Sequence, residues 1–218
     1  MVTTLSQAGA TPETLPIFPL SGVLLLPGGK LPLNIFEKRY LAMVRDAMQS
    51  ESRMIGMIQP RGGAEGAPGL ASVGCAGRIT SFSETDDGRM LITLSGVSRF
   101  RVVEEIAGFV PYRRCKVDWT PFANDPSSAD ADEDFPREAF LDKLHRYLKA
   151  RHLGVDWATL KEAEDELLIN ALAMLCPFAP EEKQALLEAP TLTARRQVLE
   201  TLIAFAMQAG GAPDEVVQ

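Results

Sequence analysis

Apolar positions along this chain follow two different periods. Up to Trp119 they alternate with polar ones as in strands, and from Phe140 onward they recur at helical spacing. Leu31-Pro-Leu-Asn-Ile-Phe36 alternates as a strand does. Tyr40, Leu41, Val44 and Met48 follow it at helical spacing, so a strand should run directly into a helix over Glu37 to Met48. Arg53 to Gln59 has the pattern of a buried strand, and Pro60 to Gly69, punctuated by Gly and Pro, that of a mobile surface loop. Val73 to Ser83 and Met90 to Ser95 flank Asp86-Asp87-Gly88, where Asp-Gly supplies the positive φ angles of a tight hairpin. Arg99 to Val103 and Tyr112 to Trp119 predict further strands. In the last of these, Cys115, Val117 and Trp119 share a face with Arg113, while Arg114, Lys116 and Asp118 take the other.

Five to seven short strands with one helix predict a closed or partly closed barrel, because closure hides the sheet edges. Residues 1–14 lack apolar periodicity and are expected to form a tail, with the β-rich lobe spanning 15–119. Residues 120–136, with Pro126 and the acidic run Asp130 to Asp134, have the composition of a linker. A helical lobe is expected over 137–209 and a second tail over 210–218. In that lobe Phe140, Leu144, Tyr147 and Leu148 line one helix; Leu167, Leu168, Ala171, Leu172 and Leu175 line another, stopped by Pro177. Pro180-Glu-Glu opens a third, and Val198, Leu199, Leu202, Ile203 and Phe205 define a fourth ending at Gly210-Gly211. The expected fold class is α+β: an N-terminal antiparallel β-barrel-like lobe with one helix, followed by a C-terminal α-helical bundle.

Composition is that of a globular protein, 46% hydrophobic and 23% charged. The net charge of −7 is uneven: residues 1–120 carry 13 Lys/Arg against 11 Asp/Glu, and residues 121–218 carry 9 against 18. An acidic back half disfavours general adhesion to nucleic acid or anionic membrane. Cys75, Cys115 and Cys176 are odd in number and widely spaced, which points to reduced core residues and a cytoplasmic location. No Lys or Arg precedes Lys30, and the apolar run Leu15 to Pro27 is broken by Pro16, Pro19, Ser21 and Gly22, so neither a signal peptide nor a span is expected.

Catalytic motifs are missing. Gly28-Gly-Lys30 is followed by Leu31 and lacks the earlier glycine of a phosphate-cradling loop. Gly96-Val-Ser98-Arg-Phe100 lacks the final glycine of a nucleophile elbow. His145 and His152 could share a helical face but have no third ligand nearby in sequence and are expected to be exposed. No catalytic residue, metal site or cofactor is expected.

Three stretches are specific in combination: Leu15-Pro-Ile-Phe-Pro-Leu20 leading through Leu26-Pro-Gly28 to Leu31-Pro-Leu-Asn-Ile-Phe-Glu-Lys-Arg-Tyr40; Val73-Gly74 to Asp87-Gly-Arg89; and Gly96-Val-Ser-Arg-Phe-Arg101. Together with Leu186-Leu-Glu188 and Arg195, they resemble the Lon N-terminal domain family, in particular its short stand-alone members, over about residues 15–205. Leu26 stands where phenylalanine is common in that family, and Lys38 where proline is common. The resemblance implies a front lobe like the pseudouridine-synthase-and-archaeosine-transglycosylase (PUA) domain and a helical second lobe. It also implies a non-catalytic role in binding unfolded polypeptides or partner proteins, as an adaptor or quality-control accessory.

The candidate peptide-binding residues are Leu24, Leu25 and Leu26, as an apolar rim unless buried; Arg39 and Tyr40, which otherwise brace the strand–helix junction with Glu37; and Arg99, which would clamp a carboxylate or pair with Glu104 or Glu105. An alternative class is RNA binding through Arg99, Arg101, Arg113, Arg114 and Lys116, against which the 7% aromatic content counts. A second alternative, an uncharacterised peptidase, has no nominated nucleophile and base. Partners are therefore expected to be polypeptides, not nucleic acid or membrane, with the chain itself a monomer or weak homo-oligomer.

Overall fold

A computed structural model describes residues 11–62, 68–125, 132, 134–154 and 156–209. The chain divides into two compact units, Met1–Ser128 and Ala129–Gln218.

The first unit contains β1 (Thr14–Pro19), β2 (Lys30–Ile35), α1 (Lys38–Gln49), β3 (Met54–Ile58), β4 (Pro60–Arg61), β5 (Gly69–Leu70), β6 (Val73–Glu84), β7 (Met90–Glu105) and β8 (Arg113–Asp118). The main sheet has the order β2-β7-β6-β3-β1-β8, and β8 pairs again with β7. That second pairing closes β7, β6, β3, β1 and β8 into a ring, while β2 extends the sheet along the first half of β7. Closure satisfies edge groups that would otherwise template foreign strands. β2 ends the strand order, and exposed Lys30 and Pro32 there discourage further pairing.

Two features differ from the sequence expectation. The sheet is mixed, because β1 and β3 run parallel with Ile17 opposite Gly56. Parallel neighbours need a long crossover, and the stretch carrying β2 and α1 supplies it. The two strands expected over Met90–Ser95 and Arg99–Val103 are one strand of 16 residues. The backbone of the β1–β2 loop crosses β7 at Gly96, whose N–H donates to the Gly29 carbonyl at 2.8 Å. A Cβ at Gly96 would lie 2.0 Å from the Leu26 carbonyl oxygen, so glycine serves close approach here and does not break the strand.

Phe100 fills the barrel interior and is fully buried among Leu15, Ile17, Met54, Cys115 and Val117. Its ring occupies space freed by two glycines: a Cβ on Gly74 would lie 2.5 Å, and one on Gly56 2.9 Å, from its Cζ. Trp119 meets Phe100 edge-on at 6.0 Å between centroids. α1 buries Tyr40, Met43, Val44 and Ala47, the stripe that a 3.6-residue period prescribes. The loop expected over Pro60–Gly69 is paired at its base, with Pro60 opposite Leu70; its centre, residues 63–67, lies outside the described residues. Residues 12–14, expected in the tail, join the barrel: Trp119 Nε1 donates to the Pro12 carbonyl at 3.0 Å and Val117 N to that of Glu13 at 2.9 Å. The remaining tail expectations, residues 1–10 and 210–218, lie outside the described residues.

The second unit contains α2 (Arg137–Ala150), α3 (Trp157–Glu162), α4 (Asp165–Leu175), α5 (Pro180–Glu188) and α6 (Leu192–Ala209). Sequence periodicity missed α3, which is six residues long; its signal is Asp156, whose carboxylate accepts from the Ala158 and Thr159 amides as an N-cap. α4 faces differently from the expectation. It buries Leu168, Ile169, Asn170, Leu172 and Ala173, leaving Leu167 exposed and Leu175 80% exposed. An almost wholly apolar helix offers no contrast from which periodicity can choose a face. Buried Asn170 identifies the inner one, accepting from Arg195 Nη1 at 2.9 Å. Phe205 of α6, expected inside, is exposed, while Leu199 and Ile203 are buried.

A charged network ties the start of this unit to α6. Buried Asp132 accepts from Arg196 Nε and from Thr193 Oγ1 at 2.9 Å. Arg196 Nη1 and Lys143 Nζ each reach Glu200 at 2.7 Å. The Arg196 guanidinium holds the Asp132 carboxyl below the usual range against the opposing effect of burial. Burial pushes the Glu200 carboxyl up, but Lys143 and Arg196 together leave it lowered.

Replacing Phe100 by Ala should cost about 3–5 kcal/mol through lost transfer energy and a residual cavity, measured by urea unfolding. Because the Asp132 and Glu200 carboxyls are depressed in the fold, their stabilisation is fully present above the unfolded value of about 4 and is lost as pH falls through the folded values. Melting followed by helical circular dichroism should therefore hold steady down to about pH 4 and then decline, with a shallower decline for Asp132→Asn.

Candidate functional site

The strand–helix junction of the barrel unit leaves an open groove. β1 ends at Pro19, and Leu20 N donates to the Ile58 carbonyl at 3.1 Å, which holds the chain beside the sheet as it turns away. β2 ends at Ile35 and α1 begins at Lys38, so Phe36 and Glu37 bridge the two across the same opening. The resulting hollow of about 200 Å³ is walled by Phe18, Leu20, Leu33, Phe36 and Tyr40, with Glu37 and Arg39 at its charged rim. Tyr40 and Phe18 are packed at 4.3 Å between centroids, and Phe36 is 64% exposed. The Arg39 guanidinium lies 4.5 Å from the Tyr40 ring centroid, and its Nε donates to Glu37 Oε2 at 2.9 Å. Burial raises the Tyr40 hydroxyl pKa, against the nearby Arg39 charge, so the phenol stays neutral and can donate or accept a hydrogen bond.

Small-molecule sites usually enclose about 300–1,000 Å³. This groove is smaller, and it is open and mostly apolar, which suits one or two side chains of a polypeptide. An exposed phenylalanine beside an aromatic floor offers contact area without a buried charge to desolvate. Its apolar wall and charged rim suit contact with an apolar side chain beside a polar group.

The sequence candidates divide. Arg39 and Tyr40 line the groove. Leu24, Leu25 and Leu26 do not form an apolar rim, because all three are buried. Gly22 and Gly28 adopt φ angles of 73° and 74°, conformations that favour glycine, and turn the loop over the barrel end. Gln59 fixes that turn by accepting from Gly22 N at 2.9 Å and donating to the Val23 carbonyl at 2.7 Å. Arg99 is also inside, 5% exposed, and grips this chain's own Asp125 instead of an outside carboxylate or Glu104 or Glu105. Nε and Nη2 reach the two Asp125 oxygens at 2.9 and 2.7 Å, the Arg99 backbone N–H donates to Oδ2 at 2.8 Å, and the guanidinium sits 4.7 Å from the Phe122 centroid. Residues 120–125, linker by composition, are thus docked on the barrel.

Of the arginines considered for RNA, Arg113 binds Glu105 at 2.7 Å and the Pro68 carbonyl at 2.7 Å, and it holds the Glu105 carboxyl low. With Arg99 and Arg113 occupied, the basic face is smaller than the sequence suggests. Sequence reasoning missed Phe18, Leu20 and Phe36 as wall residues, although all three lie in the first stretch that carries the family resemblance. His145 packs at a tilt against Trp157, 4.8 Å between centroids, whereas His152 lies beyond α2 at a φ of 55°, so the two do not share one regular helical face. Among the described residues no three His, Cys, Asp or Glu side chains form a metal-holding group.

A closed mixed barrel with one helix and a side-chain-sized apolar groove, followed by a unit of helices, defines an α+β binding domain of the Lon N-terminal type. The chain belongs to the family of the ATP-dependent protease La (LON) substrate-binding domain, whose family model matches residues 14–204. Lon protease 2 of Myxococcus xanthus is 30% identical over 204 residues, covering 88% of this chain and 24% of that protease. Lon protease of Anaeromyxobacter dehalogenans is 28% identical over 204 residues, with 88% and 23% covered. The chain thus spans about a quarter of the length of these relatives. The crystal structure of a Lon N-terminal domain protein from Xanthomonas campestris matches with a TM-score of 0.61 at 27% identity, covering 88% of this chain and 98% of that one. The N-terminal domain of Mycobacterium avium complex Lon protease shares the fold, with a TM-score of 0.65 at 18% identity over 88% of this chain and 98% of that one.

All three cysteines are buried and outside any disulfide, and burial pushes the Cys115 and Cys176 thiols up to about 11. Alkylation at neutral pH should leave the native protein essentially unlabelled and modify all three sites in denaturant, as read by intact mass.

Proposed function

We propose that this chain binds apolar side chains of unfolded or partner polypeptides at the Phe18–Tyr40 groove and acts as an adaptor or quality-control accessory, not as a catalyst. The observation that carries this reading is the exposed Phe36 beside the Phe18–Tyr40 aromatic floor, in a hollow too small for most cofactors. Membership of a substrate-binding family supports it. Polypeptides are the partners that this chemistry fits. Among the described residues no helix is long and apolar enough to cross a membrane, which agrees with action in the cytoplasm. RNA binding is the weaker reading, since Arg99 and Arg113 are engaged internally.

The test is fluorescence anisotropy of a labelled, permanently unfolded protein at low and high salt, with a folded protein and a labelled RNA as controls. Binding should be confined to the unfolded probe and should tolerate salt, because apolar contacts lack the counterion release that makes phosphate binding salt-labile. Phe36→Ser removes an exposed anchor without touching the core and should weaken binding by about 5- to 30-fold, equivalent to roughly 1–2 kcal/mol. Unchanged affinity in Phe36→Ser, or salt-labile binding of RNA alone, would rule the groove out.

A further inference from the structure

The loop between β7 and β8, residues 106–112, lies beside the groove on the barrel unit. Arg113, the first residue of β8, stands opposite Ile17 on β1, one residue before Phe18 of the groove wall. Burial raises the Tyr40 hydroxyl pKa, and the Arg113 charge is among those that act against it. The loop is held at both ends. Ile106 N donates to the Arg114 carbonyl at 2.8 Å across its base. Tyr112 Oη donates to Asp46 Oδ2 of α1 at 2.6 Å, and burial pushes that hydroxyl up to about 12, so it stays protonated and the bond persists at neutral pH. Pro111 fixes its own φ and restricts Val110 before it. On this frame Phe109 is fully exposed. An aromatic ring presented on a restrained backbone loses little conformational freedom when a partner covers it.

Arg114 lies directly beneath the same loop. A Cβ at Gly108 would come within 2.7 Å of its Nη2, so glycine lets the backbone rest on the guanidinium. Arg99, Arg113, Arg137 and Arg196 each pair with a carboxylate of this chain. Among the described residues half-buried Arg114 has no such partner, and its Nε is buried without a hydrogen bond. Two acids close by are already engaged, Glu105 with Arg113 and Asp46 with Tyr112. A part-buried guanidinium without an acceptor is costly, and a carboxylate is the group it pairs with most strongly.

We propose that Phe109 and Arg114 form a second contact site, next to the groove, for a polypeptide segment in which an acidic residue adjoins an apolar one. The apolar side chain packs on Phe109 and the carboxylate pairs with Arg114. Aromatic residues and arginine are the types that dominate the energetics of such contacts. This second site rests on the polypeptide-binding reading of the groove and adds a chemical preference that an apolar hollow does not supply.

The test uses the full chain and two labelled Gly/Ser peptides, one carrying two Leu-Asp pairs and the other two Leu-Asn pairs, titrated by fluorescence anisotropy. The Leu-Asp peptide should bind about three- to tenfold tighter. Arg114→Gln should remove that difference, and Arg114→Lys should keep part of it. Phe109→Ser, a change outside the core, should weaken both peptides by about 5- to 10-fold. High salt should narrow the preference for the acidic peptide without abolishing binding. Phe36→Ser should weaken both peptides and leave their order intact, so that a failed groove and a failed loop give different results. Equal affinity for the two peptides in the parent, or a preference that survives Arg114→Gln, would overturn the proposal. So would self-association of the parent that Phe109→Ser removes in sedimentation, because a second copy would then be what covers the ring.

Discussion

The seating of one aromatic ring inside a small barrel organises this protein. Phe100 occupies the space that Gly56 and Gly74 leave empty, and any side chain at either glycine would collide with it. That packing fits β7 against its neighbour β6, and β7 pairs with three partners, β2, β6 and β8. Because neighbouring residues of a strand point to opposite faces, placing Phe100 in the barrel turns Arg99 to the other face of the strand, where Asp125 and Phe122 cover it. Four residues further back on the same strand, Gly96 lets the β1–β2 loop cross at van der Waals distance. The run Gly96-Val-Ser-Arg-Phe-Arg101 therefore has a structural explanation at several positions: a crossing point, a hydroxyl and a guanidinium that hold the following segment, and the core ring.

The groove is a consequence of the same closure. β1 and β3 are parallel, so the chain must leave the barrel after Pro19, form β2 and α1, and return. The end of β1 and the β2–α1 junction lie side by side, and their apolar residues line a shared opening. Burial divides the apolar residues here. Leu24, Leu25 and Leu26 are inside the fold, while Phe36 stays exposed. Buried charges perform a different task, since Arg99 and Arg196 each bind the connecting chain of their own unit.

Most of the strands, the α1 helix with Tyr40 and Val44 on its inner face, the Asp86-Asp87-Gly88 hairpin and the change from β-rich to helical sequence were legible, because each depends on local periodicity or turn chemistry. Local pattern also determined that the cysteines are core residues. The face of α4 was not legible, because its apolar residues surround the helix and only the distant Arg195 selects Asn170 as an inner position. The parallel pairing of β1 with β3 and the continuity of β7 through Gly96 depend on contacts between segments far apart in sequence. The choice between a sticky rim and a core for Leu24–Leu26 was likewise a tertiary matter, settled by Gln59 some 36 residues away. By itself, then, the sequence determined most of the secondary elements, their order and the family, since these follow from neighbours along the chain and from motif spacing. Only the tertiary structure decided which arginines are spent inside the fold and which aromatic residues stay exposed, because burial is set by long-range packing that no local pattern encodes.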